Sequence, residues 1–120
     1  MGSALGVLLG GSRRTARAAA TAAVTTLVDG ETVEIVVGGR FLAHDAVVLL
    51  TDRRVIIANS REWDPEIVSI DNLGELGVEG WVDRRSATLR LTDGDDAHVV
   101  DRINDTTVAE RLTAAMRARA

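Results

Sequence analysis

The sequence predicts a mainly β protein of the α+β class: a seven-stranded antiparallel barrel, a C-terminal helix that caps it, and an extra N-terminal helix. Three observations lead to this fold. Seven short segments rich in β-branched residues lie between residues 32 and 103, with turn signals between them. An amphipathic helical pattern follows these segments, and an alanine-rich helical pattern precedes them. A chain of 120 residues is long enough for one modest core. Where the helical pattern gives way to strands, we divide the chain into a helical extension, 1–28, and a barrel domain, 29–120.

The N-terminal extension has helical periodicity from about residue 12 to residue 28. Ser12 is a suitable N-cap, and Asp29-Gly30 ends the pattern because glycine readily adopts a left-handed conformation. Small and aliphatic residues recur on a single helix face: Ala16, Ala20, Ala23, Val24 and Leu27. This face can pack on the barrel, on a second copy of the chain or on a membrane, and the sequence leaves these alternatives open.

The strand segments are predicted from β-branched residues, from alternation and from the turns between them. Gly38-Gly39 and the stretch 93–96 are turn signals, and Pro65 predicts a bend in the fourth strand because it removes a backbone donor. In the sixth segment Ala87, Leu89 and Leu91 are expected to face inward. The predicted strands are 32–37, 40–50, 54–60, 62–70, 76–82, 87–92 and 97–103.

The chain ends in a second amphipathic helix. Thr107 and Glu110 have the spacing of a capping box, although Asn104 or Asp105 could cap the helix instead. One apolar stripe is formed by Val108, Leu112, Ala115 and Met116. A small antiparallel barrel has an open end, and a terminal helix with such a stripe can cover it.

The stretch Leu50-Thr51-Asp52-Arg53-Arg54, followed by Val55-Ile56-Ile57, predicts a hairpin with Asp52 and Arg53 at its turn. Neighbouring strand residues point to opposite faces, so Arg53 and Arg54 should diverge rather than clamp a phosphate together. One of the two arginines can instead pair with a nearby acid.

A strand ending in Leu-Thr, a polar turn with an arginine and a second apolar strand are typical of the pleckstrin-homology-like (PH-like) fold. The chain resembles this family, in particular its short bacterial members, over about residues 29–119. Gly30-Glu31 before the first strand and the stretch from Ile67 to Leu73 are also similar to the family. The resemblance implies a barrel capped by the C-terminal helix.

The chain departs from the eukaryotic PH pattern at two places. Its C-terminal helix has no tryptophan, and its predicted first hairpin loop, Gly38-Gly39-Arg40, has one arginine instead of a basic cluster. The resemblance therefore does not imply that the chain binds lipid headgroups.

The charge distribution separates the ends of the chain from its body. Residues 29–102 carry eight arginines and sixteen acidic residues, whereas residues 1–28 carry three arginines and no acid. An acidic body argues against nucleic-acid binding, which needs a basic face. The chain has no cysteine, so it has no disulfide, thiolate metal site or cysteine nucleophile. We expect a cytoplasmic location, with membrane contact through the basic N-terminal region as an alternative.

No constellation of residues indicates catalysis. His44 and His98 are each the lone histidine of a predicted strand, and neither has a positioned partner in the sequence. The stretch 92–98 has three carboxylates and an imidazole but lacks the ligand spacing of a calcium loop, and its Asp-Gly pair favours a hairpin. We expect no enzymatic activity, no cofactor and no metal site.

The predicted function is a non-catalytic interaction or scaffold module of a bacterial cytoplasm that self-associates or binds a protein partner. The candidate surface combines the N-terminal segment with one tryptophan: Leu5, Val7, Leu8, Leu9, Arg13, Arg14, Arg17 and Trp81. Trp63 and Trp81 are expected in the core or at a subunit contact. The alternative is a peripheral membrane module that uses residues 4–28 on an anionic surface.

Overall fold

The computed structural model describes residues 14–119, with side chains from residue 17 onward. In this part of the chain, seven strands and a short 3-10 helix lie between two α-helices. The elements are α1 (Arg14–Val24), β1 (Val33–Phe41), β2 (His44–Thr51), β3 (Val55–Asn59), β4 (Ile67–Ile70), the 3-10 helix (Leu73–Glu75), β5 (Gly77–Asp83), β6 (Ser86–Asp93), β7 (Asp96–Ile103) and α2 (Thr106–Arg119).

All seven strands form one antiparallel sheet in the order β4-β3-β2-β1-β7-β6-β5. The expected barrel is wrong in one respect, because the sheet is not closed: β4 and β5 are its two edges and do not pair. The connection between them explains the gap. β4 has only four residues, and the 3-10 helix follows it with Leu73 and Leu76 turned into the core. Side chains therefore fill this corner where a barrel would have ladder hydrogen bonds.

The main core lies between the two halves of the curved sheet and under α2. The predicted inward residues of β6 and the predicted stripe of α2 both belong to it. Each fully buried aliphatic side chain contributes about 1.5–3 kcal/mol relative to an exposed one. The largest buried members are Leu50, Ile57, Leu89, Leu91, Ile103, Leu112 and Met116.

A second apolar cluster lies on the outer face of β2 and β3, under α1. Ala19, Ala20 and Ala23 are buried there, and their small side chains allow the helix to approach the sheet closely. The sheet contributes Val47, Leu49, Ile56 and Ala58. Both faces of β2 and β3 are thus covered, which is why their sequences are continuous apolar runs rather than alternating ones. Within this chain, the helix packs on its own sheet.

The Gly38-Gly39 turn predicted from the sequence is wrong. β1 continues through both glycines to Phe41, and the turn is formed by Leu42 and Ala43, whose φ angles are 52° and 69°. A Cβ atom on Gly39 would lie 2.7 Å from the Asp101 carbonyl oxygen of β7. The glycine is needed because two strands approach closely at the crossing of β1 and β7, not because the chain reverses there.

Other element boundaries also differ from the prediction. The fourth strand begins at Ile67 rather than residue 62, and α1 ends at Val24, before the predicted end at residue 28. The side chain of Asp105 accepts a hydrogen bond from the Val108 N–H at 3.1 Å, so Asp105 is the cap of α2 among the alternatives considered.

Among the residues that the structure describes, no helix is both long and apolar enough to span a membrane.

Candidate interaction site

The structure separates the residues that the sequence grouped as a candidate interaction surface. Five of them lie outside the described residues: Leu5, Val7, Leu8, Leu9 and Arg13. Arg14 is the first residue of α1, and Arg17 is exposed on the same helix. Because α1 packs on β2 and β3 while Trp81 lies on the edge strand β5, the structure does not bring Arg17 and Trp81 together.

Arg53 and Arg54 do not form a joint ligand-binding patch. The Thr51 N–H donates to the Arg54 carbonyl oxygen at 2.9 Å, which closes the predicted hairpin turn. Arg54 turns toward Glu31, with Nε 2.9 Å from Oε2 and Nη2 2.8 Å from Oε1. Arg53 is exposed, and its guanidinium lies 3.5 Å from the Asp29 carbonyl oxygen. The two arginines therefore have separate surroundings, and Arg54 stabilises the fold.

The carboxylate of Glu31 is buried and fully hydrogen-bonded. In addition to Arg54, it accepts hydrogen bonds from the Thr51 hydroxyl at 2.7 Å and from the Val28 N–H at 3.1 Å. The hydrogen bond from the Arg54 guanidinium is the main cause that lowers the pKa of Glu31 from 4.5 to about 2, against the opposing effect of burial. This ion pair therefore has a structural role and leaves no free charge for a ligand.

A groove of about 390 Å³ lies between β5 and α2, within the size range of ligand-binding clefts. Its walls are residues 80–82 of β5, residues 87–89 of β6, and one side of α2 that includes Ala109, Glu110, Thr113, Ala114 and Arg117. Most of these side chains are small or apolar. The groove can therefore take an apolar side chain or a segment of extended chain.

Two contacts between α2 and β5 set the width of the groove. The guanidinium of Arg117 donates two hydrogen bonds to the Val78 carbonyl oxygen, at 3.2 and 3.1 Å, and so joins the end of α2 to β5. At Gly80 the helix comes so near that an added Cβ atom would lie 3.0 Å from the Thr113 hydroxyl oxygen. The missing side chain at Gly80 therefore allows α2 to approach β5 this closely.

The strand along the groove is an unprotected edge. Within the described part of the chain, only β6 pairs with β5, so the other side of β5 faces solvent. Trp81 and Val82 are each about half exposed, at 48% and 49%. Edge strands are usually blunted by charge or proline. On β5, Glu79 and Asp83 are charged and Arg117 covers the Val78 carbonyl oxygen, so the uncharged stretch Gly80-Trp81-Val82 is the accessible part of the edge. Such an edge beside an apolar groove is suited to bind another segment of protein.

Of the two places expected for the tryptophans, the core is wrong for both, and a subunit contact stays a prediction; Trp63 lies furthest from the core. Its side chain is 99% exposed at the tip of the loop 60–66, between β3 and β4. The sequence contains a signal that could have indicated this: Glu62, Asp64 and Pro65 surround the tryptophan and are unfavourable in a central strand.

The residues that could have served in catalysis or metal binding form a turn and a packing contact instead. The stretch 93–96 forms the hairpin turn between β6 and β7, as predicted, with Gly94 at φ 62°. The imidazole of His98 lies edge-on to the ring of Phe41, with 6.4 Å between centroids. Across the described residues, no three His, Cys, Asp or Glu side chains are grouped as metal ligands would be.

The chain matches no protein-family model, no curated protein and no solved structure. The fold and the groove together define a class: a mainly β protein of the α+β type, with seven antiparallel strands, a helix at each end and one open edge beside an apolar groove.

Proposed function

We propose that this protein is a non-catalytic interaction module of the PH-like type, which binds a segment of protein in the groove between β5 and α2. The observation that carries the proposal is the combination of a cavity of about 390 Å³ with an unpaired, apolar strand edge. The bound segment belongs either to a partner protein or to a second copy of the chain.

The strand order and the C-terminal helix support the PH-like assignment. The sheet runs as a meander from β1 to β4 and from β5 to β7, and the second half joins the first through β1 and β7. The Leu-Thr-Asp-Arg-Arg turn, on which the resemblance is based, joins β2 to β3. A fold of this kind does not by itself determine function, so the proposal of protein binding rests on the groove and on the edge.

The chemistry of the groove favours protein over an anionic small molecule. Its one lining cation, Arg117, already donates to the Val78 carbonyl oxygen, and Glu110 adds a negative charge. An apolar side chain would displace water from the alanine-lined walls, and a backbone segment could bond to the free side of β5.

A peptide selection on the full chain tests the proposal. Short peptides displayed on phage would be selected for binding to the wild type, and an Ala114→Glu variant would serve to counter-select. Ala114 is an exposed residue of the groove wall, so the substitution blocks the groove without disturbing the core. Ala118→Glu places the same charge on an exposed position of α2 outside the groove and is the matched control.

We expect apolar peptides that bind the wild type and the Ala118→Glu variant but not the Ala114→Glu variant. Their binding should shift backbone amide resonances of β5 and α2. Peptides that bind all three chains equally, or the absence of any binding peptide, would contradict the proposal.

The alternative of a peripheral membrane module uses residues 4–28. In the described part of this segment Ala19, Ala20 and Ala23 face the sheet, and Arg17 is the exposed cation. That alternative predicts that the chain floats with anionic liposomes, and that high salt or replacement of Arg13, Arg14 and Arg17 by alanine abolishes flotation.

A further inference from the structure

Trp63 is an exposed indole on an anchored loop. Its φ angle of 69° is uncommon for a bulky residue, and its side chain contacts little of its own chain because it is 99% exposed. The loop is nevertheless fixed from below by the buried amide of Asn59. That amide donates to the Phe41 carbonyl oxygen at 3.2 Å and accepts from the N–H groups of Glu66 and Arg61 at 2.8 and 3.3 Å.

An indole held in this way has the properties of an interface anchor. Tryptophan is the residue type most enriched among the side chains that dominate binding energy, and a prearranged loop loses little entropy when it docks. Arg61 bonds to Asp64 and Glu66 across the base of the loop, at 3.1 and 3.5 Å. With Glu62 the loop still carries a net negative charge, which favours a surface with exposed cations.

The groove of the same protein has complementary features. The groove is lined by the small side chains of Ala87, Ala109 and Ala114, which leave room between β5 and α2 for a large flat side chain. At the rim, the guanidinium of Arg117 is of the type that stacks on indole faces.

Exposed cations lie at one end of the groove. The β5–β6 turn continues from the groove wall and presents Arg84 and Arg85, both exposed. Arg84 and Arg85 thus complement the acidic loop around Trp63, and the apolar part of the groove complements its indole. Glu110 in the groove wall and Asp83 before the turn are acidic and partly offset this attraction.

The loop and the groove of one chain do not meet. The antiparallel order places the β3–β4 loop and the β5–β6 turn at opposite ends of the strands, and Trp63 fills no pocket of its own chain. We propose that the Trp63 loop of one copy docks in the β5–α2 groove of a second copy. This inference rests on the proposed function and names the partner as another copy of the same chain.

The contact is heterologous, because loop meets groove rather than loop meeting loop. In a pair, one copy still has a free groove and the other still has a free loop, so association continues head to tail into chains or closes into a ring. The assembled mass should therefore rise with concentration beyond that of a dimer.

Sedimentation velocity across the micromolar range tests the inference with variants that each disable one side. Trp63→Ala removes the anchor, and Ala114→Glu blocks the groove and repels the acidic loop. We expect both variants to be monomers. Two controls should associate as the wild type does: Leu42→Ala, which changes another exposed residue at a turn, and Ala118→Glu. Circular dichroism spectra and melting temperatures establish that each variant is folded.

Mixing the two disabled variants is the decisive step. The Trp63→Ala chain offers only a groove and the Ala114→Glu chain offers only a loop, so together they should form a one-to-one complex and nothing larger. In a Trp81→Phe background, emission from Trp63 should shift to shorter wavelength as concentration rises. A monomeric wild type, a mixture that does not associate, or unchanged emission would each overturn the inference.

The outcomes also separate this inference from the proposed function. If Trp63→Ala still associates while Ala114→Glu does not, the groove binds another segment and the Trp63 loop is not its occupant. If removal of residues 1–13 alone abolishes association, the N-terminal segment is the occupant. The first result overturns the inference and leaves the groove as a binding site. The second does the same if Ala114→Glu also abolishes association, whereas the proposed function fails if no peptide binds the groove.

Discussion

Arg54 and Glu31 form a two-point ion pair that joins the β2–β3 turn to the segment after α1. The Nε and Nη2 atoms of Arg54 lie 2.9 and 2.8 Å from the two carboxylate oxygens of Glu31. Nη2 also donates a hydrogen bond to the Thr26 carbonyl oxygen at 2.6 Å. The remaining nitrogen, Nη1, bonds to the Ser69 hydroxyl at 3.0 Å. One side chain thereby connects three separate stretches of the chain.

Replacement of Arg54 by methionine should lower the free energy of unfolding by about 3–5 kcal/mol, because it leaves the buried carboxylate of Glu31 without its partner. Arg53→Met is the matched control. Arg53 is exposed and makes one long contact, so its replacement should change stability by no more than about 0.5 kcal/mol. Urea denaturation measures the free energy of unfolding of both variants. Equal losses would show that the ion pair stabilises the fold no more than the contact of Arg53 does.

The same pair predicts how stability depends on pH. The pKa of Glu31 is about 2 in the folded chain, below its ordinary value of 4.5, so the unfolded chain takes up the proton first. The stabilisation is fully present above about pH 5 and is lost as the pH falls through 4.5 toward 2. Glu31→Gln should be less stable than the wild type at pH 7 and should lose less stability on acidification. Parallel pH curves for the two proteins would contradict this assignment.

Gly39→Ala should destabilise the sheet more than Gly94→Ala does. At Gly39 the new methyl group would meet the Asp101 carbonyl oxygen at 2.7 Å, and this backbone atom cannot move aside without shifting β7. At Gly94 nothing lies within 4 Å, so the cost of about 1–2 kcal/mol comes only from the φ angle of 62°. Thermal unfolding should give the lower melting temperature for Gly39→Ala. The reverse order would mean that β1 and β7 can separate easily.

Asn59→Ala should free the loop that carries Trp63. The substitution removes three hydrogen bonds and leaves the Glu66 N–H without its side-chain acceptor, at a cost of about 1–3 kcal/mol. Arg61→Ala breaks only partly exposed ion pairs and should cost less than about 1 kcal/mol. Hydrogen exchange of the loop amides should accelerate in the first variant and change little in the second. An unchanged loop in Asn59→Ala would show that its anchoring lies elsewhere.

The features that follow from local pattern were predictable from the sequence. The alternation of β6 and the stripe of α2 place Leu89 and Leu112 in the core, since periodicity alone determines which face a residue takes. The turn at Asp52 and Arg53 was predictable for a similar reason, because the polar residues interrupt two apolar runs. The pairing of one of the two arginines with an acid was also predicted, although the sequence did not identify Glu31.

The features that depend on contacts distant in sequence were not predictable. Gly39 has the same local signature as a turn glycine, and only the approach of Asp101, far along the chain, distinguishes the two roles. The gap between β4 and β5 depends on how the halves of the sheet curve, which no strand encodes by itself. The groove was missed because its walls come from three separate elements. Trp63 was misplaced because the predicted fourth strand began too early.

The segment before β1 and the C-terminal helix are fastened at one point. The hydroxyl of Thr51 bonds to Glu31, and the carbonyl oxygen of Thr51 accepts a hydrogen bond from Arg119, the last described residue, at 2.6 Å, while Arg119 also pairs with Glu34. Fraying of the C-terminal helix and loosening of the segment before β1 therefore strain the same turn. These two parts of the chain should open as a single cooperative unit, so that force on the C-terminal helix is felt in the segment between α1 and β1.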